Sequence, residues 1–192
     1  MDIQNIADCP TLPAVKNRQQ LERALKTDND VIFLLFGDLL SIAELTELVH
    51  RAGKHAIVHL DLIGGLGSRE VAVDFIARTT KADGIISTKP SLIRRAKELG
   101  LFTVLRVFLI DSMALDNLSH AFEQVVPDTL EILPGLMPGI IRRLTATVPV
   151  PIIAGGLISE KSHIVSALSA GAIAVSTPND ALWDSQVIPL DK

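Results

Sequence analysis

The sequence predicts an α/β protein that folds as a single (β/α)8 barrel of the triosephosphate isomerase (TIM) type. Short apolar runs rich in Val and Ile alternate along the chain with longer stretches of helical spacing. These runs are nearly continuous, which is typical of parallel strands that are covered by helices. No linker rich in Pro, Gly or Ser interrupts the alternation, so residues 1–192 are expected to form one domain. An open, doubly wound sheet is the alternative, and it requires strands arranged around a switch point.

Eight apolar runs predict the strands, because each has the length of an ordinary strand and is bounded by turn or helix signals. In chain order the predicted strands are residues 12–16, 30–36, 55–61, 83–88, 102–108, 129–133, 151–155 and 172–177.

The stretches between these runs predict helices over residues 18–27, 39–52, 69–80, 91–99, 112–126, 137–146 and 160–169. Ser or Asp stands where several of them begin and Gly where several end, which follows the known preferences of helix termini. The marked beginnings are Ser68, Ser91 and Asp111, and the marked ends are Gly53, Gly100 and Gly171.

Composition narrows the class of protein. A hydrophobic fraction of 48% is enough for a substantial core, and no apolar run reaches the roughly 20 residues that span a membrane. The N-terminus lacks a signal-peptide pattern, so we expect a cytoplasmic protein with no membrane association. Cys9 is the only cysteine, which leaves no internal disulfide or Cys-based metal motif. A net charge of -4 argues against a surface that binds nucleic acid everywhere, although a local basic patch is compatible with it.

Polar residues follow the apolar runs at the carboxyl ends of the strands, where barrels of this type bind ligands. Gly155 and Gly156 end the seventh strand, and Ser176 and Thr177 end the eighth. Glycine allows backbone N–H groups to approach an anion closely, and the two hydroxyls can donate hydrogen bonds. These four residues predict a phosphate site after strands seven and eight. The alternative is that the glycines only make a tight turn and that Pro178 only starts a helix.

Charged residues end several other strands: Lys16, Asp61, Lys89, Arg106 and Glu131. These three cations and two carboxylates would surround the mouth of the barrel, which is its opening at the carboxyl ends of the strands. Such a set suits a small anion that carries hydroxyls. For Arg106, an internal ion pair with Asp61 or Glu131 is as consistent with the sequence as a ligand contact. His59 shares its side-chain direction with Asp61, and we interpret it as a hydrogen-bonded core histidine rather than a general base.

Two other motifs carry less information. The glycines of "HLDLIGGLGS" do not have the G-x-G-x-x-G spacing, so we exclude a dinucleotide cofactor. Small basic clusters lie on predicted helices, and such clusters are usually solvated faces and only occasionally nucleic-acid contacts. They are Arg94 and Arg95 in one helix and Arg142 and Arg143 in another.

The ordered set "LLFGD", "HLDLIGGLG", "ADGIISTK", "RVFLIDS", "EILPG", "PIIAGGLI" and "AVSTPNDALW" resembles the bacterial glycerol uptake operon antiterminator regulatory proteins over about residues 10–184. The resemblance implies a regulator with no catalytic residues and no metal or other cofactor. It implies that the effector is glycerol 3-phosphate and that the partner is the leader mRNA of glycerol-utilisation genes, whose premature termination is prevented. The basic clusters are then the candidate RNA surface. One residue departs from the family pattern, because Pro178 stands where a Ser is expected.

Two further hypotheses stay open at this point. The same polar mouth would serve a phosphosugar isomerase, epimerase or synthase, with Asp61 or Glu131 as general base and Lys89 or Arg106 as electrophile. A phosphate-binding barrel that works through a protein partner is the third hypothesis. The sequence does not decide whether copies of the chain form a homo-oligomer.

Overall fold

Eight parallel strands close into a barrel in chain order, with β1 paired to both β2 and β8. A computed structural model describes residues 1–184; residues 185–192, which belong to the predicted domain, lie outside the described residues. The strands are β1 (Thr11–Val15), β2 (Val31–Leu34), β3 (His55–His59), β4 (Gly84–Ser87), β5 (Phe102–Phe108), β6 (Thr129–Leu133), β7 (Ile152–Gly155) and β8 (Ala174–Thr177). The predicted (β/α)8 barrel is confirmed, and the open doubly wound sheet is wrong.

A helix follows each of the first seven strands, as the spacing predicts. These helices are α2 (Arg18–Ala24), α3 (Ile42–Arg51), α4 (Glu70–Thr79), α5 (Pro90–Glu98), α6 (Ser112–Gln124), α7 (Pro138–Thr145) and α8 (Lys161–Ser169). Short 3-10 turns follow β3, at Leu60–Leu62, and β8, at Asp180–Leu182. No helix within residues 1–184 is long and apolar enough to cross a membrane.

The helix termini agree with the sequence signals in part. The Asp111 side chain accepts a 2.9 Å hydrogen bond from the Ala114 amide and caps α6. Gly53, Gly100 and Gly171 follow helix ends with positive φ values, as predicted. The predictions at Ser68 and Ser91 are wrong, because α4 and α5 are preceded by Arg69 and Lys89.

An additional helix, α1 (Ile3–Ala7), precedes β1 and was not predicted. Asp2 and Asn5 cap it reciprocally, and Ile6 is completely buried. Ile6 belongs to the same apolar cluster as Leu12 and Phe33, so α1 covers the amino end of the barrel. A helix of five residues is too short to show a helical period in the sequence.

The core has two parts because successive residues of a strand point to opposite faces. One cluster fills the barrel with inward-facing side chains such as Ile57, Ile86, Val104 and Ile153. The larger cluster lies between the outside of the strands and the helices. Above the inner cluster, toward the carboxyl ends of the strands, the inward-facing residues become polar.

Candidate ligand-binding site

A buried ion pair lies among the inward-facing polar residues at the carboxyl ends of the strands. Arg106 on β5 and Glu131 on β6 are register partners, and Arg106 Nε lies 2.6 Å from Glu131 Oε2. The side chain of Arg106 is 7% exposed and that of Glu131 is 0% exposed. Charges this well buried require a partner. Of the two partners that the sequence allowed for Arg106, the structure selects Glu131 rather than Asp61.

Gly155 provides the space in which this carboxylate lies. Ser176 Oγ donates a 2.5 Å hydrogen bond to Glu131 Oε1, and Gly155 is the register partner of Ser176. A Cβ atom on Gly155 would lie 2.6 Å from Ser176 Oγ and 2.7 Å from Glu131 Oε1. The side-chain groups closest to this glycine therefore belong to the protein itself, and the Ser176 hydroxyl proton, predicted to serve a phosphate, is directed to Glu131.

The turn after β7 has an unusual backbone. Gly156 and Leu157 both have positive φ, +74° and +60°. A left-handed conformation costs a leucine about 1 kcal/mol, and such strain concentrates at functional sites. Within residues 1–184, the amide N–H groups of Gly156 and Leu157 donate to no other backbone group. The turn therefore offers main-chain donors at the barrel mouth.

The loops after β7 and β8 are joined by side chains. Thr177 Oγ1 donates to the carbonyl of Ile158 at 2.9 Å, and Asn179 Nδ2 donates to the carbonyl of Ser159 at 3.1 Å. The Asn179 amide in turn donates to Thr177 Oγ1. Thr177, which was predicted to contact a phosphate with its hydroxyl, thus holds the two loops together as one unit.

A second group of polar residues joins the ends of β3 and β4. The Asp61 carboxylate accepts a 2.8 Å hydrogen bond from the Thr88 amide and 3.2 Å bonds from the hydroxyls of Ser87 and Thr88. Lys89 Nζ lies 3.8 Å from Asp61 Oδ1. The structure therefore brings the predicted site residues Asp61 and Lys89 together.

Lys16 stands beside the β8 loop. Its backbone amide donates to Gln20 Oε1, and Gln20 Nε2 donates to the carbonyl of Pro178. A second link between α2 and this loop is the ion pair of Arg23 with Asp180. The exposed Lys16 side chain thus starts close to the predicted phosphate loops.

His59 is the polar residue of the mouth whose hydrogen bonding differs from the interpretation of the sequence. Its side chain faces into the barrel and the residue is 3% exposed, yet Nδ1 has no hydrogen-bond partner within the described residues. Burial, and after it the positive charge of Arg106, lowers the pKa of His59 to about 4. The imidazole is therefore neutral near pH 7. The expectation of a hydrogen-bonded core histidine is wrong with respect to Nδ1.

Comparison of the sequence with known proteins identifies the family of this chain. Residues 11–183 match the model of the glycerol-3-phosphate responsive antiterminator family. The chain belongs to this family. The resemblance found in the sequence is thereby confirmed over nearly the whole described chain.

Solved structures of family members have the same fold. A glycerol uptake operon antiterminator regulatory protein from Listeria monocytogenes is 33% identical, with a TM-score of 0.89 over 92% of this chain and 95% of that one. An antiterminator-related protein from Thermotoga maritima is 30% identical, with a TM-score of 0.81 over 91% and 98% of the two chains. A deoxyribose phosphate aldolase from Aeropyrum pernix shares the fold alone, at 14% identity and a TM-score of 0.68.

A curated relative, the uncharacterized protein YgcP of Escherichia coli, is 37% identical over 174 residues, which is 91% of each chain.

Pro178, where the resemblance led us to expect a Ser, takes part in holding the β8 loop. Its carbonyl accepts a hydrogen bond from Gln20 Nε2. The following Asn179 caps the 3-10 turn through the Ala181 amide. The β8 loop therefore stays attached to both α2 and the β7 loop.

The four arginines predicted as an RNA surface lie on the helices α5 and α7. Arg94 pairs with Glu70, and Arg95 pairs with Asp74 and Glu98, whose hydrogen bonds raise the pKa of Arg95. Arg142 and Arg143 are exposed and have no carboxylate within ion-pair distance among residues 1–184. The two clusters are thus electrostatically different. No group of three or more metal-binding side chains occurs in the same range.

Proposed function

We propose that this protein is a glycerol 3-phosphate-responsive transcription antiterminator of the cytoplasm, which binds leader mRNA of glycerol-utilisation genes and prevents premature termination. The observation that carries the proposal is the joined pair of loops after β7 and β8, in a chain that matches this family over residues 11–183. This position is the customary phosphate site of the barrel fold.

The phosphate of the ligand lies against Gly155, Gly156, Ser176 and Thr177. Since both hydroxyls have internal acceptors, the amides of Gly156 and Leu157 and the charge of Lys16 supply most of the attraction. The glycerol hydroxyls face the polar groups of the neighbouring strands, namely Asp61, Lys89, Arg106 and Glu131. A phosphate ester on main-chain donors and a polyol among charged side chains is a common way to bind such molecules.

The RNA contact is assigned to Arg142 and Arg143 in preference to Arg94 and Arg95. Phosphate groups are attracted by cations that no carboxylate neutralises, and of the two predicted clusters only the α7 pair meets this condition within the described chain. Ligand and RNA affect each other by population shift, because a ligand can change RNA affinity only by binding two states unequally.

A phosphosugar enzyme is the competing function, and the geometry favours it less. Both oxygens of Glu131 accept hydrogen bonds from protein groups, Oε2 from Arg106 and Oε1 from Ser176. Asp61 is similarly occupied by Ser87 and Thr88. A general base must be free to turn toward the substrate proton, and carboxylates that are held by donors of their own protein are less available for this. Turnover of a phosphosugar by the purified protein would restore the enzyme hypothesis.

The decisive experiment is calorimetric titration with glycerol 3-phosphate, with glycerol and inorganic phosphate as controls. Gly156→Asp places a negative charge at the phosphate loop, and we expect it to abolish binding. Gly53→Asp controls for the backbone strain of the substitution, since Gly53 has nearly the same φ, +75°. Thermal unfolding of both variants checks the remaining difference, which is that a Cβ on Gly156 lies 3.1 Å from the Leu133 side chain whereas nothing lies within 4 Å of one on Gly53. Trp183, the only tryptophan, donates to the carbonyl of Thr177 at 2.9 Å, so its fluorescence is an independent readout. Absence of glycerol 3-phosphate binding would overturn the proposal.

The RNA half of the proposal is tested separately with a leader RNA. We expect Arg142→Glu with Arg143→Glu to weaken RNA binding about tenfold or more and to reduce its salt dependence. Arg94→Glu is the control at a cation that already pairs with Glu70. Equal RNA affinity with and without saturating glycerol 3-phosphate would contradict the coupling, and unchanged affinity of the double variant would contradict the assigned surface.

A further inference from the structure

His59 differs from Arg106, Glu131 and Ser176 at the mouth, because its Nδ1 atom is buried and has no hydrogen-bond partner within the described residues. Arg106, Glu131 and Ser176 form a connected chain of hydrogen bonds. His59 ends β3 on the inward face, and Nδ1 is fully buried without a partner. A polar group in this condition is costly, so a residue with only a packing function would be expected to be apolar or satisfied.

The position of His59 separates it from the other unpartnered polar atoms. Within residues 1–184, the remaining buried side-chain atoms of this kind are the hydroxyls of Thr11 and Thr129. Those two residues begin β1 and β6 at the amino end of the barrel, whereas His59 lies at the carboxyl end. The charges that act on the imidazole are those of Arg106 and Asp61, both of which are proposed to face the polyol.

The chemistry of a neutral imidazole indicates which part of a ligand it contacts. One ring nitrogen donates and the other accepts, which matches a hydroxyl that can also do both. A phosphate dianion is better bound by cations and main-chain amides, which the β7 and β8 loops and Lys16 supply.

We propose that His59 recognises a hydroxyl of the bound polyol phosphate and thereby selects hydroxyl-bearing ligands over plain alkyl phosphates. This inference rests on the proposed function for the position of the phosphate. It makes His59 a specificity-determining residue. The ligand class is a short phosphate ester with a hydroxyl on the carbon chain.

The test compares two ligands and three variants by calorimetry and Trp183 fluorescence. Glycerol 3-phosphate carries hydroxyls, and n-propyl phosphate has the same carbon chain and phosphate without them. His59→Leu is expected to weaken glycerol 3-phosphate binding about tenfold to a hundredfold and n-propyl phosphate binding less than about threefold. His59→Asn and His59→Gln place an amide near Nδ1 and Nε2, respectively, and one of them is expected to recover most of the discrimination. An equal loss for both ligands, or no loss for either, would overturn the inference.

Thermal unfolding without ligand is the second measurement, and it separates the possible failures. Because the leucine removes an unsatisfied buried polar atom, the Tm of His59→Leu is expected to equal or exceed that of the wild type. A clear decrease in Tm would show that His59 is a structural residue and would overturn the inference even if glycerol 3-phosphate binds. If the wild type binds n-propyl phosphate as tightly as glycerol 3-phosphate, the hydroxyl selection is overturned while a phosphate site stands. Binding of neither ester overturns the proposed function and this ligand class together.

Discussion

The two ends of the barrel are built from the same strands, but the inward-facing residues are apolar at one end and polar at the other. At the amino end, α1 covers an apolar interior in which Ile6, Leu12 and Phe33 are completely buried. At the carboxyl end, the inward positions carry an ion pair, a hydroxyl and a histidine. The amino end is therefore held by apolar packing, whereas the carboxyl end carries buried polar groups of the kind that suit a polar ligand.

The surfaces of the two ends differ as well. Most of the exposed large apolar side chains within residues 1–184 lie on the loops or first helical turns that follow the strands. Examples are Leu40, Ile110, Met113 and Leu157. Exposed apolar groups around a polar mouth are typical of surfaces that contact other molecules.

The largest expected effect comes from breaking the ion pair at the carboxyl end. Glu131→Ala leaves Arg106 buried without its partner, so the free energy of unfolding is expected to fall by about 4 kcal/mol. Urea denaturation measures this change. The double variant Arg106→Met with Glu131→Leu makes this end resemble the amino end, and we expect it to regain most of the stability while losing the ligand. If the free energy of unfolding of Glu131→Ala fell by less than about 1 kcal/mol, the expected cost of burying Arg106 without a partner would be contradicted.

The next effect is the pH dependence contributed by His59. Its pKa is lowered from 6.5 to about 4 in the folded protein, so the unfolded chain binds the extra proton between these pH values. The free energy of unfolding is therefore independent of His59 protonation above pH 6.5. It falls as pH decreases toward 4, by about 1.4 kcal/mol per pH unit and about 3 kcal/mol in total, because only the unfolded chain takes up the proton. Denaturation curves of the wild type and His59→Leu between pH 7 and pH 4 test this. Parallel stability profiles for the two proteins would contradict it.

A smaller effect is expected from filling the space at Gly155. Gly155→Ala brings a methyl group within 2.7 Å of Glu131 Oε1, which must move, and we expect a loss of about 2 kcal/mol with weaker ligand binding. Gly139→Ala is the control, because this glycine lies in α7 with nothing within 4 Å of its Cβ position. The control should be neutral or more stable by up to about 1 kcal/mol. Similar denaturation midpoints for the two variants would argue against the tight contact.

The smallest effect is expected from a substitution at the amino end of the barrel. Ile6→Val removes one methylene from a completely buried residue of α1, so a loss of about 1 kcal/mol is expected. Ligand affinity should not change, since Ile6 belongs to the apolar cluster at the opposite end from the mouth. Calorimetric titration of this variant provides the check, and a weakened affinity would mean that the two ends are coupled.

Much of the fold was predictable because its signals are local. The eight strands and seven helices follow from apolar runs and helical spacing, with errors of a few residues at their ends. The strand predicted over residues 55–61 ends at His59 because Leu60–Leu62 form a 3-10 turn, and within that turn the Asp61 carboxylate binds Ser87 and Thr88. Helix α1 escaped prediction because it is too short for a periodic signal and is held by packing of Ile6.

The sequence by itself determined that the chain forms a closed barrel, that its polar residues collect at the carboxyl ends of the strands, and to which family it belongs. Only the tertiary structure decided how those polar residues are paired. Arg106 binds Glu131 across 25 positions of the chain, and Ser176 binds Glu131 across 45. The physical reason is that the register of neighbouring strands and the closure of the barrel set these distances, whereas spacing along the chain does not. For the same reason, the carboxylate beside Gly155 and the unpartnered nitrogen of His59 become visible only in the folded molecule.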